Sequence, residues 1–155
     1  MAFGNITGDG TISFSIPQGT AKDKSGNLCE PLLESPIINV DNTIPVINIS
    51  VPSKATVKSG ESTSYILTFN ESNLNESSFS NSSVVLNKIG SVTGIMSITG
   101  GGNSRVVTID NIVGIGTLSL SIGYGAISDK SGNVSLYIGP SSVVTVQTSS
   151  RLKLY

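Results

Sequence analysis

The sequence predicts an all-β fold, an antiparallel β-sandwich, on three observations. Apolar residues alternate with polar ones, turn-forming residues recur at short intervals, and one β-rich segment occurs twice. In residues 117–122, Leu118, Leu120 and Ile122 alternate with Thr117, Ser119 and Ser121. A period of two puts one set against a core and the other in water. The same pattern is carried by Ile12, Phe14 and Ile16, by Ile47, Ile49 and Val51, and by Tyr65, Leu67 and Phe69. In residues 105–109 it places Val107 and Ile109 on one face. Between two such segments, Gly100-Gly-Gly-Asn-Ser104 reads as a hairpin connection, because Gly and Asn accept the positive φ that tight turns need. No helical stripe of useful length interrupts the strands.

The duplicated segment fixes the domain organisation. Ile6-Thr-Gly-Asp-Gly-Thr-Ile-Ser-Phe-Ser-Ile16 recurs as Ile112-Val-Gly-Ile-Gly-Thr-Leu-Ser-Leu-Ser-Ile122, 106 residues later. The same offset aligns Asp23-Lys-Ser-Gly-Asn27 with Asp129-Lys-Ser-Gly-Asn133, and Ile37-Ile-Asn-Val40 with Val143-Val-Thr-Val146. Over residues 6–28 against 112–134, 13 of 23 positions are identical without a gap. A period this long implies tandem domains, since solenoid repeats run roughly 20–50 residues. Residues 1–40 match only the end of the unit, so they are expected to be the C-terminal strands of a preceding copy. Residues 41–147 are expected to be one complete domain, and residues 148–155 a tail. Roughly seven short strands in such a unit are the pattern of an immunoglobulin-like sandwich. Three strands cannot bury a core alone, so residues 1–40 are expected to pair with another chain or to swap into a neighbouring copy.

Composition narrows the chemistry. The chain has 155 residues, no His, one Cys, and nine basic against ten acidic residues. Without His there is no Ser-His-Asp or Cys-His pair and no His-based zinc site. One Cys forbids an intrachain disulfide. The balanced charge leaves no basic patch for nucleic acid, and no twenty-residue apolar run exists to span a membrane.

Gly116-Thr-Leu-Ser-Leu-Ser-Ile, then Gly125-Ala-Ile-Ser-Asp129-Lys-Ser-Gly-Asn133 and a closing strand, resemble the end of a bacterial Ig-like repeat. Val40-Asp-Asn-Thr-Ile-Pro45 resembles the junction that opens the next repeat, and residues 57–69 resemble its early strand. The resemblance implies a module of a large secreted or cell-surface protein, adhesins among them. There it would serve as a non-catalytic spacer between neighbouring Ig-like repeats, with some copies binding a host or glycan ligand. The other reading is a carbohydrate- or protein-binding module attached to a secreted enzyme.

Two groups of residues are candidate sites. Asp23, Asp41, Asp129 and Asn133 offer oxygen ligands for calcium, with Asp41 placed to stiffen a junction. The competing reading of Asp-Lys-Ser-Gly-Asn is a turn, in which the Asp side chain caps the backbone and Gly132 takes a left-handed conformation. The spacing and acidity of an EF-hand loop are absent. Asn70, Glu71 and Glu76, in the long loop of residues 70–83, and Tyr124 offer a ligand-binding surface. Two loop glutamates five residues apart do not by themselves make the facing carboxylate pair of a glycosidase. Gly8-x-Gly10 and residues 100–102 lack the helix and Lys of a phosphate loop.

Overall fold

The computed structural model describes residues 4–147, so the expected tail at 148–155 lies outside the described residues. The chain divides into two compact units, residues 1–43 and 44–155. The division falls three residues beyond the boundary expected from the repeat. The reason is local: Asp9 accepts hydrogen bonds from the Asn42 amide, at 2.6 Å, and from the Thr43 hydroxyl, tying the junction to the first unit.

The second unit is all-β. One sheet has the order β3-β5-β9-β8 and is antiparallel throughout. Its strands are β3 (Val46–Ile49), β5 (Thr63–Asn70), β8 (Thr93–Thr99) and β9 (Ser104–Val113). The other has the order β4-β12-β10-β7, from β4 (Thr56–Lys58), β12 (Val144–Gln147), β10 (Gly116–Ile122) and β7 (Val84–Gly90). It is antiparallel except where β12 runs parallel to β4. A small ribbon joins β6 (Leu74–Asn75) to β11 (Ser128–Asp129).

Alternation decides which side chains the two sheets share. Tyr65, Leu67, Val107 and Ile109 from one sheet, and Leu118, Leu120, Ile122 and Val144 from the other, are all fully buried in one core. The Tyr65 ring lies inside it, and its hydroxyl donates to the Ser142 carbonyl at 2.8 Å, so the polar tip is satisfied. The expected hairpin at residues 100–104 joins β8 to β9. The alternation through Ile47 and Ile49 stops short of Val51, which is 73% exposed and lies beyond the end of β3. Among the described residues no helix is long and apolar enough to cross a membrane.

The first unit is a long irregular hairpin. Its strands β1 (Gly10–Ile12) and β2 (Ile38–Val40) pair antiparallel, and isolated bridges follow at Ile16–Leu32 and Lys22–Leu28. Each pairing recurs in the second unit 106 residues later. Gly10–Val40 corresponds to Gly116–Val146, and Ile12–Ile38 to Leu118–Val144. Ile16–Leu32 corresponds to Ile122–Ile138, and Lys22–Leu28 to Ser128–Val134. Even the rare positive φ of a non-glycine residue recurs, 56° at Asn5 and 50° at Asn111.

Candidate functional site

The Asp-Lys-Ser-Gly-Asn segment forms the same turn in both units. The Asp129 carboxylate accepts from the amides of Ser131 (2.9 Å) and Asn133 (2.8 Å), and from the Asn133 side-chain amide (2.7 Å). Asp23 accepts equivalently from Ser25 (2.8 Å), Asn27 (2.9 Å) and the Asn27 side chain (2.8 Å). Gly132 and Gly26 take φ of 96° and 90°, the left-handed geometry the turn needs. Burial pushes the Asp129 carboxyl up, but the Asn133 side chain and the backbone amides of the turn outweigh it and hold it below the ordinary value. Asp23 is also lowered, first by the Asn27 side chain. Donors thus occupy both oxygens of each carboxylate. Asp41 belongs to the first unit and accepts from the Thr43 amide at 3.2 Å. Among the described residues no three His, Cys, Asp or Glu side chains gather in a metal-ligating group. The geometry favours the turn reading over a calcium cage.

The long loop is more ordered than its composition suggests. After β5 ends at Asn70, the chain forms β6 and two 3-10 turns, Glu76–Ser78 and Asn81–Ser83. The β6–β11 ribbon brings it against the Asp129 turn. Leu74 pairs with Asp129, the Lys130 amide donates to the Asn73 carbonyl at 3.0 Å, and the Ser78 hydroxyl receives the Ser128 amide at 2.8 Å. Glu71 is committed locally: its carboxylate accepts from the Asn73 amide at 2.7 Å. Glu76 opens the first 3-10 turn and is exposed. Leu74 is buried and Phe79 packs against the core, anchoring the loop at two points.

Arg105 is the residue that sequence reading missed. Only 8% exposed, it lies over the adjoining Phe69 and Phe79 rings, its guanidinium carbon 5.4 and 5.1 Å from their centroids and the rings 5.4 Å from each other. It donates to the carbonyls of Gly102 (2.8 Å) and Ser104 (2.9 Å). The signal was parity: Arg105 shares the inward face of β9 with Val107 and Ile109. A planar cation stacked on two aromatic faces, with backbone oxygens at its edge, closes this end of the core.

Of the four tyrosines, Tyr65 is in the core, while Tyr124 and Tyr137 are 71% and 59% exposed. The Ile122–Ile138 bridge carries both near one corner of the unit. Beside Tyr137 an apolar groove of about 180 Å³ is lined by Ile44, Pro45, Val46, Ile47, Leu136 and Ile138. Asn70, Glu71, Glu76 and Tyr124 are not part of this lining. Comparison with protein-family models, with curated proteins and with solved structures gives no match for the chain.

Proposed function

We propose that residues 44–147 form an immunoglobulin-like repeat, a non-catalytic spacer module of a bacterial surface or secreted protein that supports adhesion by its neighbours. One observation carries the reading: the closing hairpin occurs twice with the same pairings, 106 residues apart, as tandem copies of one domain require. Strand order supports it further. Setting aside β4 and the β6–β11 ribbon, and lettering the remaining strands A to G along the chain, the sheets read A-B-E-D and C-F-G. That is the arrangement of the seven-stranded immunoglobulin sandwich. The resemblance to bacterial repeats supplies the location.

A spacer must hold its length under load. The parallel pairing of β4 with the last strand, β12, over three residue pairs is loaded in shear when the ends are pulled apart, so its bonds must break together. Single-molecule pulling on the chain should show one all-or-none event releasing on the order of 300 Å. Gradual extension without a resolved event would refute the spacer role.

The exposed tyrosines favour a second reading, a carbohydrate- or protein-binding module. Stacking of a sugar ring on Tyr124 or Tyr137 predicts binding on a glycan array that Tyr124→Ala and Tyr137→Ala abolish. Binding unchanged by both substitutions, or no binding, would dismiss it.

A further inference from the structure

The two large sheets of the second unit end in four edge strands, β3 and β8 on one, β4 and β7 on the other. An edge offers unpaired amides and carbonyls to any strand that meets it, and short length, prolines or charges usually blunt it. Three of the four are blunted in these ways. β3 is four residues long and lies between Pro45 and Pro52. β4 is three residues long and includes Lys58, and β7 carries Lys88. β8 has no such guard. It is seven residues long, and residues 89–104 around it contain no charge and no proline.

Nor does a bulge distort β8. Between Thr93 and Ile95 the partners on β9 move from Val113 to Asp110, so the extra residue belongs to β9. The strand is also incompletely covered. Its inward-facing Gly94, Met96 and Ile98 are only half-buried, whereas Val107 and Ile109 on the neighbouring β9 are fully buried. On the outward face, Ile95 is 62% exposed. Among the described residues no strand pairs with the outer side of β8.

The sequence of β8 indicates what fits there, because Thr93-Gly-Ile-Met-Ser-Ile-Thr99 is complementary to itself. Antiparallel pairing about Met96 sets Thr93 against Thr99, Gly94 against Ile98, Ile95 against Ser97, and Met96 against its own copy. Each isoleucine meets a small residue, and the flexible methionines fill the centre. Paired positions keep their parity, so inward residues meet inward ones and the two cores continue across the junction. Electrostatics does not oppose it. The outward charge on this sheet is Asp110 of β9, since Arg105 is buried. Three strand spacings would separate the two Asp110 side chains by about 14 Å, beyond the screening length of about 8 Å at physiological salt.

We propose that β8 is a self-pairing edge, through which two copies of the chain join antiparallel about Met96 and merge their four-stranded sheets into one. The proposal rests on sheet order and the β8 sequence, not on the repeat or spacer reading. Seven residues a side is well below the roughly 20–30 of a standard interface, so the dimer is weak and concentration-dependent.

Sedimentation of the full chain from about 10 μM to about 1 mM should show a monomer–dimer equilibrium. Ile95→Lys, an exposed substitution that places like charges diagonally across the junction, should weaken the dimer by about 10-fold or more. A monomer throughout that range would overturn the proposal. A dimer that Ile95→Lys leaves intact would also overturn it, since association would then use another surface. Cross-linking tests the register, with Cys29→Ser removing the native thiol. Met96→Cys should form a disulfide-linked dimer on mild oxidation, because facing Cα atoms lie about 4.5–5.5 Å apart. Thr99→Cys should not, because the two copies of position 99 lie about 20 Å apart. Linking at Thr99→Cys in preference to Met96→Cys would contradict pairing about Met96.

Discussion

Gly116 and Gly10 stand at matching positions with nearly the same φ, and only one of them has a strand carbonyl where a side chain would go. Gly116→Ala should therefore destabilise the second unit by about 3 kcal/mol or more, from strain at positive φ plus overpacking. Gly10→Ala should leave the urea midpoint of that unit unchanged. Equal losses from the two substitutions would contradict this assignment. Asp129 makes a pH prediction. Its folded pKa lies below the ordinary 3.8, so the unfolded chain binds the proton more readily. Its contribution is complete above that value and is lost as pH falls through the folded one. Asp129→Asn should cost roughly 1–2 kcal/mol at neutral pH, because amides lose a charged acceptor. It should also flatten the decline in stability below pH ~4; an unchanged slope in urea titrations would count against the turn's role. The turn was legible in the sequence because Asp, Gly and Asn each state a backbone preference. Arg105 was not, because a charged residue at an inward position reveals itself only once Phe69 and Phe79 are known to lie together beneath it.

At the level of elements, β5 and β9 follow directly from alternation, while β10 alternates in sequence but keeps its polar face from water, with Ser121 buried and Thr117 and Ser119 half-buried. β7 did not announce itself: Val84-Val-Leu-Asn-Lys-Ile-Gly has adjacent apolar residues, and only Val84 is fully committed to the core. Its place at a sheet edge relaxes the pattern. The β6–β11 ribbon was invisible for a different reason. Two-residue strands have no periodicity, and this one depends on the contact of a loop with a turn some fifty residues away. Matched strands of the two units also separate packing from local preference. Leu120→Ala should cost about 3 kcal/mol in urea unfolding of the second unit. Phe14→Ala, at the corresponding position, should shift it by less than about 0.5 kcal/mol. A comparable cost for Phe14 would mean that the first unit's face is covered in solution.

At the scale of the molecule, the repeat offset was readable because identical turns bracket it, and the same offset relates the β1–β2 pairs and the isolated bridges of the first unit to those of the second. What lay beyond the sequence was the packing at the matched glycines, crowded by backbone at Gly116 and open at Gly10. The central claim is that one hairpin design is present twice, once inside a four-stranded sheet and once, among the described residues, as a two-stranded one. Residue-resolved amide hydrogen exchange on the dilute native chain tests it most directly. The hydrogen bonds of the two hairpins match: 2.8 Å from the Ile16 amide to the Leu32 carbonyl, and 2.7 Å from Ile122 to Ile138. Those of Cys29 and Ser135 are both 3.0 Å. Local bonding alone would protect such pairs equally. The account predicts that Ile122, Ile138 and Ser135 exchange about 1,000-fold or more slowly than Ile16, Leu32 and Cys29, because only the former must await unfolding of a packed unit. Equal protection of the matched amides would contradict it.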